Sequence, residues 1–282
     1  MDFLSLTVFC AVAHEQSVTK AAAVLGRAPS NITTRLRQME AELGSPLFER
    51  QTKRMVLNAQ GRTYLDYAQR MLTLAEEARL AIQPVCAAET LRVGAMECTL
   101  ASRLPAPLAR FNAAWPTIAV SLSAAPSTQL LQALATHQLD CAFVAQPPDG
   151  ALLNGMDVQR VPAFEEELQL LSPSGYWEQD TQKVLAVFAP GCSCRAVVEI
   201  WVRERGAGQG ALVLRQVASC HEMYAYAAAG ACACIMPASV ITLMVPDVSL
   251  ERTTLRMMET WLVSRSGFAS PAFARFRREI LA

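Results

Sequence analysis

Residues 27–40 read RAPSNITTRLRQME, and the placing of polar groups in this stretch decides how the whole chain is read. Pro29 suits the first position of a helix, where its missing N–H costs nothing, and Gly44 suits the stop. Between them Ile32, Leu36 and Met39 recur at helical spacing and form one inner face. Ser30, Asn31, Thr33 and Thr34 crowd the first turns, although threonine is a mediocre helix former. Taken alone, such a face is explained as well by solvent as by a partner.

The flanking sequence favours a partner. Phe3 to Ala13 carries apolar residues at 3, 4, 6, 8, 9, 12 and 13, a helical pattern with one broad buried face. Ser17 precedes a second short helix, VTKAAAVLG, whose alanines permit close packing and whose Gly26 suits the stop. Short helix, tight turn, helix is a helix-turn-helix. Downstream, PLFERQTKRMVLN places Lys53 and Arg54 at a turn between two short extended runs, a basic β-wing.

Charge agrees with this reading. From Lys20 to Arg54 seven cations face three carboxylates, in a 282-residue chain whose 25 Lys and Arg balance 25 Asp and Glu. A local basic patch on a neutral chain reads as a nucleic-acid-binding module joined to something else. An α-helix fits the major groove with its N-terminal residues at base edges. We therefore expect Pro29 to start the recognition helix, with Ser30, Asn31, Thr33 and Thr34 facing base edges or phosphates. Arg35 and Arg37 extend from the same helix, and Lys53 and Arg54 on the wing would reach phosphates or the minor groove.

From Ala59 to about Val85 a long helix follows. Leu65, Ala68, Leu72, Ala75, Arg79 and Ile82 alternate steps of three and four, the seam of a coiled coil. Leu65, Ala68, Leu72, Ala75 and Ile82 are thus expected to dimerise two chains; packing on the chain's own C-terminal domain is the alternative. Beyond Pro84, strand and helix patterns alternate: LRVGAM, a helix near Leu100 to Trp115, IAVSLSA, a helix near Thr128 to His137, and CAFVA. A second set runs LQLLSP, VLAVFA, a helix near Arg195 to Arg205, LVLRQV, a helix near Met223 to Ala229, and ACIMP. Such alternation implies α/β lobes with mostly parallel strands, and TWLVSR with the helix near Pro271 to Leu281 could return to the first lobe.

Composition narrows the function classes. Hydrophobic residues make up 52% and charged residues 18%, ample for packed cores. FLSLTVFCAVA has the length of an export-signal core, but Asp2 stands where a positive region belongs. Tyr224 to Pro246 carries no charge, yet Gly230 and Pro237 divide it, and a buried helix–turn–strand unit explains it better than a membrane span. A cytoplasmic protein with no membrane partner is expected. There the nine cysteines are more naturally buried small hydrophobes than disulfides. Cys192/Cys194 and Cys232/Cys234 lack the C-x-x-C spacing of zinc sites, so no metal site is expected. With three histidines and no G-x-S-x-G, H-E-x-x-H or P-loop, nothing points to catalysis.

Across essentially its whole length the chain resembles the LysR-type transcriptional regulators. F-x-x-V-A at Phe9, Val12 and Ala13, then Ser17, the Ala21-Ala22 pair and Leu25, ITTRLRQME, LGSPLFER and LNAQG carry the likeness. LRVGAMECT, Leu104-Pro105, LDCAFV, APGCSCR, AAGACACIMP and TWLVSR continue it in order. The resemblance implies a multi-domain α and α/β chain: a winged helix-turn-helix (1–58), a linker and dimerisation helix (59–88) and a two-lobed effector domain like periplasmic binding proteins (89–282). Lobe I would be 89–160 with 264–282, and lobe II 161–263. It implies operator DNA, RNA polymerase and a small-molecule co-inducer as partners, no cofactor, and assembly from homodimers into a homotetramer. The chain departs from the family at Ala28, where many members carry a capping Ser, and at Cys232, commonly Gly.

Ligands of parallel α/β lobes meet strand C-termini and helix N-termini. Glu97, Cys98 and Thr99, then Ser127 and Thr128, Cys192 and Ser193, and Ser219 and His221 stand at such places. Thr99 and Thr128 are the contacts that the resemblance favours, though each also reads as a simple N-cap. Glu97, if it faces the cleft, favours a cationic or amine-bearing effector. Alternatives are a thiol-based redox sensor of the same family using Cys192, Cys194 or Cys220, a solute-binding protein, or an enzyme. The solute-binding reading leaves the first ninety residues unexplained.

Overall fold

The computed structural model describes residues 2–51, 54–81, 89–145, 152–179, 181–205, 212–244 and 249–281. The chain divides into two compact units, one carried by Met1–Pro84 and the other by Val85–Ala135 and Leu139–Ala282.

In the first unit, helix α1 (Phe3–Glu15) starts at Asp2, whose carboxylate accepts the Ser5 N–H at 2.7 Å. Helix α2 (Val18–Val24) is capped by Ser17, and α3 (Pro29–Leu43) ends at Gly44 in the left-handed conformation, φ +66°. Strands β1 (Phe48–Gln51) and β2 (Arg54–Leu57) pair antiparallel, from Phe48 opposite Leu57 to Gln51 opposite Arg54. Helix α4 (Ala59–Ala81) follows; the Asn58 side chain accepts the Gly61 N–H at 2.7 Å and donates to the Pro46 carbonyl at 2.7 Å. Leu6, Phe9 and Val12 of α1, the alanine pair of α2, and Ile32, Leu36 and Met39 of α3 form the core. Phe9 stands edge-on to Phe48 and Tyr64, with centroids 5.5 and 5.2 Å apart.

Ala28 precedes α3 with extended backbone and no side-chain bond to the first turn. A serine there would accept an N–H of that turn. Ala28→Ser is expected to stabilise the unit by about 0.5–2 kcal/mol, read as a higher urea midpoint in far-UV circular dichroism; an unchanged or lower midpoint would refute it.

The second unit runs β3 (Glu89–Ala95), α5 (Glu97–Ser102), α6 (Pro105–Ala114), β4 (Ile118–Ala124), α7 (Ser127–Ala135), β5 (Cys141–Ala145) and β6 (Val158–Pro173). It continues β7 (Val184–Val187), α8 (Ser193–Arg205), β8 (Val213–Gln216), α9 (Cys220–Ala228), β9 (Ala233–Pro237), α10 (Ala238–Ile241), β10 (Leu250–Arg265) and α11 (Pro271–Ile280). The strands form one sheet ordered β4-β3-β5-β10-β6-β9-β7-β8.

This corrects three expectations. The helix near Leu100 to Trp115 is two helices, because Pro105 starts a new one with Leu104 as its cap. The strands read as LQLLSP and TWLVSR are the ends of β6 and β10, each 16 residues long. The sheet is parallel only at its two ends, β4-β3-β5 and β9-β7-β8; β5, β10, β6 and β9 pair antiparallel. The parallel ends each carry a lobe, and β6 and β10 run through both, so the expected lobe limits fall within these strands. In the first lobe Phe111, Phe143 and Phe276 stack their edges around a core that α11 completes. In the second, Leu171, Met223, Ala227, Cys232, Cys234 and Met236 are buried together.

The uncharged stretch that begins at Tyr224 is the end of α9, a turn at Gly230 (φ +77°), β9 and α10. Among the described residues no helix is long and apolar enough to cross a membrane. The left-handed turn residue is Gly230 and not Cys232, so the side chain at 232 meets no backbone obstacle and is fully buried.

Candidate functional sites

On α3 the inner residues Ile32, Leu36 and Met39 are buried, which forces Pro29, Ser30, Asn31, Thr34 and Arg37 to the exposed side. Thr33 is half-buried and donates its hydroxyl back to the Pro29 carbonyl at 3.0 Å. Arg54 opens β2 and is exposed, whereas Lys53 lies outside the described residues. Arg35, expected to hold phosphate, also makes contacts within the unit. Its guanidinium lies 3.0 Å from the Asp2 carboxylate and 3.3 Å from the Ser5 hydroxyl, so it ties α3 to the start of α1.

Hydrogen bonds from Ser5, and then from Arg35, hold the Asp2 carboxyl at about 2, below its ordinary 3.8. Because the folded value is depressed, the stabilisation is complete above the unfolded value and is lost as pH falls towards about 2. Asp2→Asn should therefore lower stability at neutral pH, and the gap to wild type should narrow on acidification. A gap that widens in acid, in parallel urea titrations, would contradict this.

The seam on α4 is partly spent within the first unit. Ala68 is fully buried against the helix-turn-helix core and cannot meet another chain, while Leu65, Leu72 and Ala75 are half-buried. The reason is the seat that α1 offers through Phe9, which Tyr64 covers. Among the described side chains of this helix Tyr67 and Leu74 are the exposed large apolar ones, and Ile82 lies outside the described residues.

In the second unit four helix starts gather the expected effector residues. Ser127 and Ser193, fully buried, lie with hydroxyls 3.0 Å apart, and Ser193 donates to the Ala145 carbonyl at 2.5 Å. They join α7 to α8. Thr128 is exposed beside Gly191, its Oγ1 3.5 Å from the Gly191 carbonyl. A Cβ at 191 would lie 2.2 Å from that oxygen, and φ there is +87°, so glycine is required on both counts. Thr128, Gly191, Cys192, Ser193, Arg195 and Glu199 line part of a shallow cavity of ≈ 180 Å³. Ser219 is spent as the cap of α9, accepting the Glu222 N–H at 3.1 Å while Glu222 accepts the Ala218 N–H at 2.8 Å. His221 faces solvent.

Glu97, Cys98 and Thr99 open α5, with Cys98 and Thr99 buried. The Cys98 sulfur lies 3.0 Å from that of Cys220, and the Cys220 thiol donates to Glu97 Oε2 at 2.7 Å. Hydrogen bonds to Cys194 and Cys220, together with burial, push the Cys98 thiol well above the usual range. For Cys220 the Cys98 hydrogen bond acts downwards, but burial and the Glu97 carboxylate outweigh it, and the thiol is raised. The ligand atoms of Glu97, Cys98 and Cys220 lie within 4.8 Å of one another and could hold a metal ion. Sequence spacing hid this group, because its members stand at the starts of two helices far apart in the chain.

A second lobe-bridging group also escaped sequence reading. Arg103, after α5, lies 2.5 Å from buried Glu166 of β6, whose other oxygen accepts from Ser239 of α10 at 2.9 Å. Ser102 lies 3.0 Å from Ser239.

Two family models match the chain. Residues 3–62 match the bacterial regulatory helix-turn-helix protein, lysR family, and residues 87–282 the LysR substrate binding domain. The HTH-type transcriptional regulator YusT of Bacillus subtilis is 31% identical over 98% of this chain and 94% of its own length. Among solved structures, full-length OxyR from Pseudomonas aeruginosa superposes with TM-score 0.71 at 20% identity, covering 99% of this chain and 94% of that one. Full-length CbnR complexed with its target DNA gives 0.69 at 22% identity, covering 99% of both chains. At those identities the solved structures speak for the fold.

Proposed function

Since this chain belongs to the LysR family of transcriptional regulators, we propose that α3 reads its operator through Ser30, Asn31, Thr34 and Arg37. The chain is a DNA-binding regulator with an effector-binding domain, and its family consists of regulators and not of enzymes. One observation carries the assignment. Burial of Ile32, Leu36 and Met39 leaves those four side chains exposed together along α3, as major-groove reading requires. Pro29 sets the start of the helix, and Thr33, bonded to its own backbone, shapes the first turn. Arg54 and Lys53 on the wing hold phosphate; Arg35 positions the helix through Asp2.

The cleft between the lobes takes the effector. Exposed Thr128, with Gly191 and Cys192, forms one wall, and Glu97, Cys98, Thr99 and Cys220 form the other group. Ser127, Ser193 and Ser219 build the walls and do not donate to a ligand. An effector that binds one lobe arrangement better shifts the population of the assembled regulator, a homodimer or homotetramer, and so alters its hold on DNA and RNA polymerase. Such work is done in the cytoplasm, where the bacterial chromosome lies.

The test is selection of DNA from a random pool by the full-length chain. An enriched motif is expected, and Thr34→Ala should relax its preference by about 1–3 kcal/mol at a base that Thr34 reads. Arg54→Ala should weaken all sequences alike and reduce the slope of log K against log salt by about 0.9. A pool without enrichment, or unchanged binding by both variants, would overturn the assignment.

A further inference from the structure

We propose that the cleft binds a thiophilic metal ion of the zinc, cadmium or copper(I) class through Cys98, Cys220 and Glu97. The proposal rests on the effector reading above and gives that effector a chemical class.

Three observations carry it. First, the donors come from both lobes: Glu97 and Cys98 open α5 beside β3, and Cys220 opens α9. An ion held by all three therefore joins the lobes and favours the arrangement that brings them together, which is what an effector must do. Second, Glu97 is turned towards sulfur. Its carboxylate accepts the Cys220 thiol at 2.7 Å, and among the described residues no cation pairs with it. Half-buried Glu97 sets a carboxylate beside two buried thiols, and a cation bound among them pairs with it. Third, the donor set selects the ion. Two sulfurs and one oxygen suit a soft or borderline ion in tetrahedral geometry with its fourth position open, and disfavour calcium and magnesium, which take oxygen.

The spacing fits a site that tightens around its ion. Zn–S bonds of about 2.3 Å place tetrahedral sulfurs roughly 3.8 Å apart, against 3.0 Å between Cys98 and Cys220. The three measured donor atoms already lie within 4.8 Å of one another, so side-chain rotations of a fraction of a turn suffice. Binding replaces the S–H protons shared within the group by the ion and releases them to solvent.

The experiment uses the full-length chain, reduced and freed of metal by a chelator, and titrated with Co2+ as a spectroscopic probe. One Co2+ per chain is expected, with a thiolate-to-cobalt charge-transfer band that Zn2+ abolishes by displacement. C98S, C220S and E97Q should each weaken Zn2+ binding by at least the roughly tenfold that loss of an outer-shell partner costs. Cys10→Ser, which changes a thiol of the DNA-binding unit, should leave it unchanged. E97Q alters no sulfur, so it keeps the test decisive if a cysteine variant folds poorly. No charge-transfer band, or an undiminished band in C98S and E97Q, overturns the proposal. So does a Cys98–Cys220 disulfide that forms with peroxide and alters DNA binding in a chain that takes up no metal. The cobalt signal needs no DNA: a chain that selects its motif but gives no band loses the metal site alone, and one that gives the band without selecting DNA loses the regulatory reading alone.

Discussion

Replacing Phe9 with alanine is expected to cost the N-terminal unit about 3–5 kcal/mol, the range for deleting a buried phenylalanine ring. The ring is fully buried and makes edge contacts with Phe48 of the wing and Tyr64 of α4, so two separate elements lose a common partner. The cavity cannot be filled by local collapse, because α1, the wing and α4 are each fixed by other contacts, such as the Asn58 bonds to Pro46 and Gly61. All four tryptophans, Trp115, Trp177, Trp201 and Trp261, belong to the second unit. Phe9→Ala should thus lower the urea midpoint of DNA binding and of far-UV circular dichroism while leaving that of tryptophan fluorescence in place. Coincident movement of both midpoints would show that the units unfold as one.

The second large effect is expected at the ion pair of the other unit. Arg103→Ala leaves Glu166, 4% exposed, with a buried carboxylate that keeps the Ser239 hydroxyl at 2.9 Å but has lost its cation. Breaking a buried pair from one side costs about 3–5 kcal/mol, and the low end applies because the Arg103 side chain is 36% exposed. Here the tryptophan midpoint should fall and DNA affinity at low denaturant should persist. The double variant Arg103→Met with Glu166→Met removes both charges and should recover most of the loss. A double variant as unstable as the single one would show that the residues matter through shape and not through charge.

The helix-turn-helix was legible because its signals are local. A proline at the first position, Ser17 before one helix, glycines after two helices and a three-residue inner face each act within a few residues of where they stand. The long strands were not, because their middle stretches are only two strands wide and carry charged residues, of which Glu166 is buried only through its bonds to Arg103 and Ser239. FEEE in β6 and RMME in β10 therefore lack the apolar alternation of a covered strand. Ala68 was misassigned because a seam on a helix records that it is covered, not by which chain. The thiol group was beyond reach of spacing altogether: Cys98 and Cys220 meet across 122 positions, through a sheet order that only the fold supplies.

The run of β6 and β10 has a mechanical consequence. Each spans 16 residues, about 50 Å at strand rise, and Met257 to Glu259 face Glu167 to Glu165 with no third strand hydrogen-bonded alongside. Register shifts flank that segment, between Thr254 and Arg256 and between Thr260 and Trp261, and such irregularities strengthen local twist. A hydrogen-bonded ribbon resists stretching and shearing but twists readily. The lobes are thus the two ends of a torsion bar: what a bound ligand sets is an angle, while the distance along the bar stays nearly constant.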